Sequence, residues 1–516
     1  MIIAFLLFLL CFVVRYSIAI STGVNFDTYG HLYFSKEVKA HRVGPFGTIR
    51  TKVVCPKDFS HPFLWNYVIA FFDVHWILKN NKSFNPVMDS TFTVLIFIIL
   101  IFSGFDQGIA FRSALLYILT PMWFSQFSIG PRTASLTPRL TSEIFVNLLL
   151  SVTLMPLPIS IPTRLVMGAA CSFVVLSSSK FGVQAILFIV PLTSLFSLNH
   201  LPLTSSLLGF LLALTISKGI VLMNLKEQML HLTGYFKKNL RKKMSVSSRN
   251  SLRVLFAWDR DSHFLKNILK IGLRALVSNS FTGMLLKMPV LLLVIAGFLI
   301  NSEEALFPAF FVAPIAAACV LFFLINIPQL LFLGEAERYL NHVALFIVAS
   351  GAFLTDLAYS FLIAYGVLFW ATELVVLYFV KKKSGNSDAD VDSDIISWLK
   401  NRTGEMTILS YPYHAVGVFR IMLQTDHRVL FCFMCEEEYQ REFLEKYEDD
   451  YPYVKLDLVD EMASRYGVNC LIVNKKTLIA RGLEEWRPSE NWIAVPVGQP
   501  VYDMYIHSSI SDATFA

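Results

Sequence analysis

Two side chains suited to acid–base chemistry, Asp27 and His31, stand four residues apart just after an apolar stretch at residues 2–20. A carboxylate held at a membrane surface is costly and usually has a task, such as binding an ion, orienting a sugar hydroxyl or taking a proton. An exposed aspartate, with a pKa of ~3.9, is a weak base, so partial burial or the imidazole would have to tune it. Asp27 is therefore the leading candidate for chemistry.

The composition indicates what holds these residues in place. The chain has 516 residues, of which 55% are hydrophobic and only 16% charged, and several apolar runs are long enough to cross ~30 Å of hydrocarbon as helices. Residues 2–20 lack a convincing cleavage site and are followed by further spans, so they predict a retained first helix. These features identify a polytopic membrane protein.

Charge divides the chain into two parts. Residues 384–516 contain 22 acidic and 12 basic residues, whereas the preceding part contains 16 acidic and 32 basic residues. A basic membrane part is expected where loops face anionic lipid. The bases are spread between apolar spans and do not cluster with aromatic residues, which argues against nucleic acid as a partner.

The apolar runs predict a transmembrane domain at residues 1–383 with about ten to twelve crossings. A first loop (residues 21–65) is too long to be a simple connection, and the short apolar run after it, residues 66–78, predicts a non-crossing interfacial helix. Residues 226–274 mix bases with apolar residues at helical spacing, which predicts a pair of basic interfacial helices. The remaining predicted spans are residues 91–103, 111–127, 144–154, 165–175, 183–196, 203–225, 284–300, 306–333, 342–353 and 357–380.

The tail differs in character. Residues 384–395 form an acidic linker, and residues 396–516 alternate apolar strands with charged helices. The expected strands are residues 406–410, 428–434 and 470–474, and the expected helices are residues 436–447 and 456–466. The predicted fold is therefore mainly α, a polytopic membrane protein with a small C-terminal soluble α/β domain.

Four motifs occur in a consistent order along the membrane part: Asp27-Thr-Tyr-Gly-His31, His61-Pro62, Thr137-Pro-Arg139 leading to Glu143, and Arg338-Tyr339. In this order and spacing the chain resembles the GT-C superfamily of membrane glycosyltransferases, which use sugars linked to polyprenyl or dolichyl phosphate. The tail, from Trp398 to residue 473, is similar to the extracytoplasmic domain that ends many of these enzymes.

The resemblance implies roles for the two acids. Asp27 matches the acid of the first loop, which in the family deprotonates or orients the acceptor nucleophile or helps to hold a divalent metal. Glu143 matches the acid of a later loop, where the family more often has aspartate. Asp27 and Glu143 are thus the predicted catalytic pair and the candidate ligands of Mg²⁺ or Mn²⁺, although no cofactor is required by the sequence.

The resemblance also implies a set of binding residues. Arginine suits the phosphate of the lipid carrier because its guanidinium binds two oxyanion oxygens at once. Each residue also has a plainer interpretation: Arg338 could reach lipid headgroups, His31 could serve as a hydrogen-bonding partner and His61 could shape a turn. The predicted substrate-binding residues are His31, His61, Arg132, Arg139, Arg338 and Tyr339.

Membrane topology makes this hypothesis testable. Asp27 and Glu143 can share a site only if residues 66–78 do not cross the membrane. The three lysines at residues 381–383 favour a cytoplasmic tail by the positive-inside rule. The last two predicted spans form a hairpin, however, so the tail lies on the same side of the membrane as Arg338. If Arg338 faces the active site, that side is extracytoplasmic in the family, and we adopt this orientation.

These observations predict an inverting glycosyltransferase in the plasma, inner or endoplasmic reticulum membrane. It would transfer a sugar from a polyprenyl- or dolichyl-phosphate carrier to a glycan, lipid or protein acceptor at the extracytoplasmic or lumenal face. The main alternative is a transporter or lipid-glycan flippase with a soluble accessory domain, although no internal repeat of the kind transporters often show is visible. A non-catalytic member that binds glycan or lipid through the same cavity is a third possibility.

Overall fold

The structure is a computed structural model of the whole chain. The ranges that it describes are residues 1–22, 24, 26–54, 58–60, 63–121, 135–235, 264, 267–268, 271, 280–300, 307–327, 329–330, 333–334, 336–384, 387–413, 415–430, 443, 445–450, 452–496 and 501–509.

Helices dominate the first 384 residues, as the apolar runs predicted. The described helices of this part are α1 (Ile2–Ile20), α2 (Phe26–Ala40), α3 (Leu64–Ile69), α4 (Val74–Phe102), α5 (Gln107–Leu119), α6 (Pro138–Leu154), α7 (Ile161–Ser178), α8 (Lys180–Ser197), α9 (Leu201–Ile216), α10 (Ile220–Tyr235), α11 (Ser280–Lys287), α12 (Pro289–Ile300), α13 (Ala309–Ile325), α14 (Glu337–Asn341), α15 (Ala344–Gly351) and α16 (Asp356–Ser384).

Span-length helices make this an integral membrane protein. Within the described ranges, five helices are long and apolar enough to cross a membrane, and the count rises to seven if each of two bent pairs is one span. The predicted span at residues 203–225 is broken between α9 and α10 by 113°, and the one at residues 284–300 is broken between α11 and α12 by 85°. Gly219, with φ of +90°, stands at the first break, and Pro289 begins the helix after the second.

A buried ion pair joins three of the membrane helices. Arg15 of α1 donates from Nε to Asp89 Oδ2 of α4 at 2.5 Å, and its other nitrogens donate to the carbonyls of Ile118 and Tyr117. The Tyr117 hydroxyl donates to the other Asp89 oxygen. The two carbonyls belong to the last turn of α5, where backbone acceptors lack helical partners, so Arg15 satisfies a helix end that water cannot reach.

One of two predictions about helices near the site needs revision. The run at residues 342–353 does not form a full span, because α15 has eight residues, about 12 Å of helix, and every one of them is buried. Hydropathy could not distinguish this core helix from a span. The run at residues 66–78 is divided between the six-residue α3 and the start of α4, which agrees with the prediction that it does not cross by itself.

The first loop contains a helix that the sequence did not predict. Helix α2 occupies its first half, and a short antiparallel hairpin follows, β1 (Thr48–Arg50) with β2 (Asp58–Ser60). Buried residues occur all around α2, because it lies between the membrane helices and the C-terminal domain. A helix covered on several sides shows no clear apolar stripe, so periodicity could not reveal it.

The C-terminal domain is built on a mixed five-stranded sheet. Its strands are β3 (Thr407–Tyr411), β4 (Arg428–Val429), β7 (Cys470–Asn474), β8 (Trp492–Val495) and β9 (Tyr502–His507), in the order β4-β3-β7-β9-β8, and β5 (Glu448–Asp450) with β6 (Tyr453–Val454) forms a separate hairpin. Its helices are α17 (Ser387–Lys400), α18 (Val418–Gln424), α19 (Val459–Tyr466) and α20 (Lys475–Ala480). The predicted α/β character is confirmed, with β3 parallel to both β4 and β7.

The acidic linker predicted at residues 384–395 lies largely inside α17. Aspartates near the start of a helix interact favourably with its positive dipole end, which explains how an acidic stretch forms one. Beyond residue 396, the helix expected at residues 456–466 is present as a short 3₁₀ turn followed by α19. Most of the helix expected at residues 436–447 falls outside the described residues.

The C-terminal domain docks onto the first loop. Helix α18 packs along α2, and Val54 and Lys52 exchange backbone hydrogen bonds with Val429, so the first loop extends the edge of the sheet beside β4. Lys52 Nζ also donates to the Thr425 carbonyl at 2.8 Å. The tail therefore lies at the same end of the molecule as Asp27.

Candidate functional site

Helix α2 presents the first two site residues. Asp27 lies in its first turn and His31 lies one turn later, so the two side chains share a helix face. A carboxylate in the first turn is stabilised by the positive end of the helix dipole. Gly30 is on the same face and also lines the cavity described below.

Two further helices begin beside Asp27. Helix α6 starts with Pro138, a residue that favours the first helical position, and Arg139 follows with Nη2 3.9 Å from Asp27 Oδ2. Helix α8 starts with Lys180 after Ser179, whose hydroxyl accepts a hydrogen bond from the Gly182 amide. The first residues of α2, α6 and α8 thus converge on one point.

These elements enclose a cavity of about 220 Å³. It lies at the end of the membrane domain that faces the C-terminal domain. Its lining comes from the first turns of three helices and from α18, and consists of Asp27, Gly30, His31, Phe34, Thr137, Pro138, Arg139, Ser179, Lys180, Phe181 and Phe419.

Phe181 links a second arginine, Arg338, to the cavity, although Arg338 is not itself part of the lining. The Arg139 guanidinium lies 4.9 Å from the centre of its ring, and the Arg338 guanidinium of α14 lies 4.4 Å from the same ring. Stacking on an aromatic face holds a guanidinium in a fixed place. The cavity therefore has three neighbouring cations, counting Lys180, and one carboxylate in its lining.

His31 is held as a neutral imidazole. Burial lowers its pKa to about 4, and Arg139 adds to that effect, whereas Asp27 and the hydrogen bond with Asn66 act in the opposite direction. Asn66 of α3 donates to the His31 carbonyl at 2.8 Å and lies 3.3 Å from Nδ1. With Nδ1 accepting from that amide, the proton of the neutral ring is on Nε2.

Glu143 lies one helical turn beyond Arg139, about 6 Å further along α6, and is buried. It does not line the cavity. Its Oε1 accepts from the Asn341 side chain of α14 at 3.4 Å, and Asn147 donates to the Asn341 carbonyl at 3.0 Å. This network ties the helix that carries Arg139 to the helix that carries Arg338.

Tyr339 also lies away from the cavity lining. Its ring is in the membrane core, and its hydroxyl donates to Gln184 Oε1 at 3.2 Å. The geometry gives it a packing role, and its predicted part in substrate binding stays a prediction. His61 and Arg132, the two remaining predicted binding residues, lie outside the described residues.

Several lining residues were not found by sequence reasoning. Lys180 and Phe181 begin a helix that was predicted only as an apolar span from residue 183, and Phe419 belongs to a different domain. Asn66 was taken as part of an apolar run, although it is fully buried and holds His31. The only hint in the sequence was that Asn66, a polar residue, stands at the start of the otherwise apolar run at residues 66–78.

The residues present do not fit a divalent metal. Asp27 and His31 are the metal-binding types in the cavity lining, Glu143 is elsewhere, and the Arg139 guanidinium lies beside the Asp27 carboxylate. In the described part of the chain, no three His, Cys, Asp or Glu residues come together as a metal site would require. We assign no step to a metal.

Similarity to known proteins is limited to three-dimensional structure. No protein-family model matches the sequence, and no curated protein matches it. The chain is similar to the apo oligosaccharyltransferase of Archaeoglobus fulgidus, with a TM-score of 0.51 and 12% identity over 92% of this chain and 70% of that one. It is also similar to ArnT from Cupriavidus metallidurans bound to undecaprenyl phosphate, with a TM-score of 0.44 and 13% identity over 97% of both chains.

At such low identity the similarity concerns the fold. The chain therefore shares the fold of the A. fulgidus oligosaccharyltransferase.

Proposed function

We propose that the protein is a membrane glycosyltransferase that moves a sugar from a polyprenyl- or dolichyl-phosphate carrier to an acceptor. The observation that carries the proposal is the convergence of α2, α6 and α8 on one cavity, where Asp27 lies with Arg139 and Lys180, and Arg338 packs on the cavity residue Phe181. The A. fulgidus protein with the same fold is an oligosaccharyltransferase, which is consistent with sugar transfer.

The electrostatics favour an anionic ligand. Each helix carries about half a positive charge at its N-terminus, where backbone amides lack helical partners, and three such ends adjoin the cavity. Together with the three cationic side chains they outweigh the Asp27 carboxylate. A phosphate is the anion that best suits planar guanidiniums and open helix N-termini at a membrane surface.

The proposed reaction is a single displacement. An acceptor hydroxyl, oriented by Asp27 and relieved of its proton there, attacks the anomeric carbon of the carrier-linked sugar. As the new carbon–oxygen bond forms, the bond to the phosphate oxygen breaks, and the electron pair leaves with the carrier phosphate. Arg139, Lys180 and Arg338 stabilise the departing charge, and the anomeric configuration inverts.

His31 and Glu143 have supporting roles in this scheme. Neutral His31 offers the Nε2 proton as a hydrogen-bond donor to a sugar oxygen and leaves Asp27 as the acceptor of protons. Glu143, through Asn341, fixes the distance between the two arginine-bearing helices. We therefore propose that Glu143 is a positioning residue, whereas Asp27 acts directly on substrate.

The location of the reaction follows from the same proposal. Asp27, Arg338 and the C-terminal domain lie at one end of the molecule. We propose that this end is extracytoplasmic or lumenal, in a plasma, inner or endoplasmic reticulum membrane. The acceptor would be a glycan, lipid or protein that reaches the cavity from the aqueous side.

The test compares two Asp→Asn substitutions in protein purified into lipid nanodiscs. Asp27→Asn should abolish transfer from polyprenyl-phosphate sugars and leave the thermal unfolding midpoint within a few degrees of wild type. Asp106→Asn is the matched control, because Asp106 is an exposed helix cap beyond the far end of α4, where asparagine caps equally well. Full activity in Asp27→Asn, or loss in both variants, would overturn the assignment.

A further inference from the structure

One residue of the cavity lining does not come from the membrane domain. Phe419 lies on α18 of the C-terminal domain, is only 7% exposed and faces the same cavity as Asp27 and Arg139. Its ring centre is 4.8 Å from that of Phe26 and 5.6 Å from that of Phe34. The cavity is thus completed by a part of the chain almost 400 residues away from Asp27.

The docking contacts fix this ring in position. Gly30 lets the ring lie against the backbone of α2, since a Cβ there would be 3.0 Å from Phe419 Cδ2 and Cε2. Lys36 donates to the Leu423 carbonyl at the end of α18, and the Arg420 guanidinium lies 5.7 Å from the Tyr29 ring. Contacts at both ends of a short helix leave Phe419 little freedom to move.

The lining therefore has three chemically distinct sets. Arg139 and Lys180 are cationic and suit a phosphate, whereas Phe34 and Phe419 are aromatic. Asp27 and His31 supply the hydrogen-bonding groups that a sugar hydroxyl needs. A pyranose ring has an apolar face of C–H bonds and a rim of hydroxyls, so it matches an aromatic surface bordered by polar groups.

We propose that Phe419 stacks on the sugar ring at the reacting centre, so that the C-terminal domain helps to bind the sugar that the membrane domain transfers. The proposal rests on the proposed function. The ligand class is a pyranose attached to a carrier phosphate. Phe419 acts by contact with this ring and has no part in proton transfer or in holding the phosphate.

The test separates recognition of the sugar from recognition of the phosphate. Two sets of probes are titrated onto the full-length protein in nanodiscs: bare polyprenyl phosphate, and polyprenyl-phosphate glucose or mannose. Phe419→Leu keeps an apolar side chain against Gly30 and removes the ring, whereas Phe419→Tyr keeps the ring. Phe443→Leu is the control, because Phe443 is buried in the core of the C-terminal domain away from the cavity.

In Phe419→Leu, affinity for the carrier-linked sugar should fall about 3- to 10-fold, the range expected for one aromatic contact, and affinity for bare polyprenyl phosphate should not change. Phe419→Tyr and Phe443→Leu should bind both probes like wild type. Equal losses for both probes, or no loss for either, would overturn the role of Phe419. If wild-type protein binds neither probe, it is the proposed glycosyltransferase function that fails.

Discussion

Replacing Gly30 with alanine tests how the two domains share the cavity. Gly30 lies inside α2, in ordinary helical conformation, where alanine is intrinsically better by about 1 kcal/mol. On local propensity alone, Gly30→Ala should stabilise the protein. The structure predicts the opposite, because the Phe419 ring occupies the space that the new methyl group would need.

The magnitude follows from the distances. The added Cβ would lie 3.0 Å from Phe419 Cδ2 and Cε2 and 3.3 Å from Cγ, against the ~3.5–4.0 Å at which carbon atoms pack best. The ring must therefore move by a few tenths of an ångström, and overpacking of this kind costs about 1–3 kcal/mol. Subtracting the helical gain leaves a net destabilisation of about 0–2 kcal/mol, together with a displaced wall beside Asp27.

A double-mutant cycle with Phe419→Ala gives the sign of the coupling. Thermal unfolding in detergent should show Gly30→Ala as destabilising in the wild-type background and stabilising by about 1 kcal/mol once the ring is gone. Gly44→Ala is the matched control, because nothing lies within 4 Å of its added Cβ. If Gly30→Ala has the same sign in both backgrounds, Phe419 does not pack where the structure places it.

Three further predictions concern other parts of the molecule. Asp89→Ala leaves Arg15 buried without its carboxylate and should cost about 3–5 kcal/mol of unfolding free energy, with a smaller loss when both are replaced by leucine. The pKa of His31 is about 4 in the folded protein and ~6.5 in the unfolded chain, so the free energy of unfolding should fall as the pH drops from ~6.5 to about 4. His31→Gln should remove part of that fall, which melting curves at a series of pH values would measure. Arg338→Lys keeps the charge but loses the stacking on Phe181, so polyprenyl phosphate should bind about tenfold more weakly in titrations. Unchanged binding would exclude Arg338 from the phosphate site.

The sequence predicted the parts of the fold that hydropathy and strand patterning govern. Strand β7 was predicted with its observed bounds, and the helix at residues 456–466 and the non-crossing character of residues 66–78 were predicted closely. Strand β7 is buried in the sheet, and the helix has one buried face toward the C-terminal core, so their residue patterns are simple.

Elements with more than one environment could not be predicted in the same way. Helix α2 is buried on several sides between two domains, and α15 is an apolar helix that lies wholly inside the bundle. In both cases the pattern depends on contacts made far away in the chain, which no local window contains. The break between α9 and α10 falls at a single glycine, Gly219, whose φ of +90° is not that of a right-handed helix.

Some residues of the candidate site could likewise be predicted from the sequence, and others could not. Asp27 and Arg139 could be singled out because a charge beside an apolar span is expensive, and the structure brings them together. Phe181 and Phe419 are aromatic residues in a chain with 45 phenylalanines, so only tertiary structure could assign them to the cavity. Tyr339 adjoins Arg338 in sequence, yet the helix turns its side chain into the core.

The central claim, that the cavity cleaves a sugar from its lipid carrier, can be measured directly. Purified protein in nanodiscs is mixed with polyprenyl-phosphate sugar and an extract of native membrane acceptors, and the carrier is followed by mass spectrometry. Wild-type protein should release free polyprenyl phosphate in step with glycosylated acceptor, and Asp27→Asn should yield neither product. Recovery of the carrier with its sugar still attached, moved across a proteoliposome membrane by wild-type protein, would contradict the account and favour a flippase.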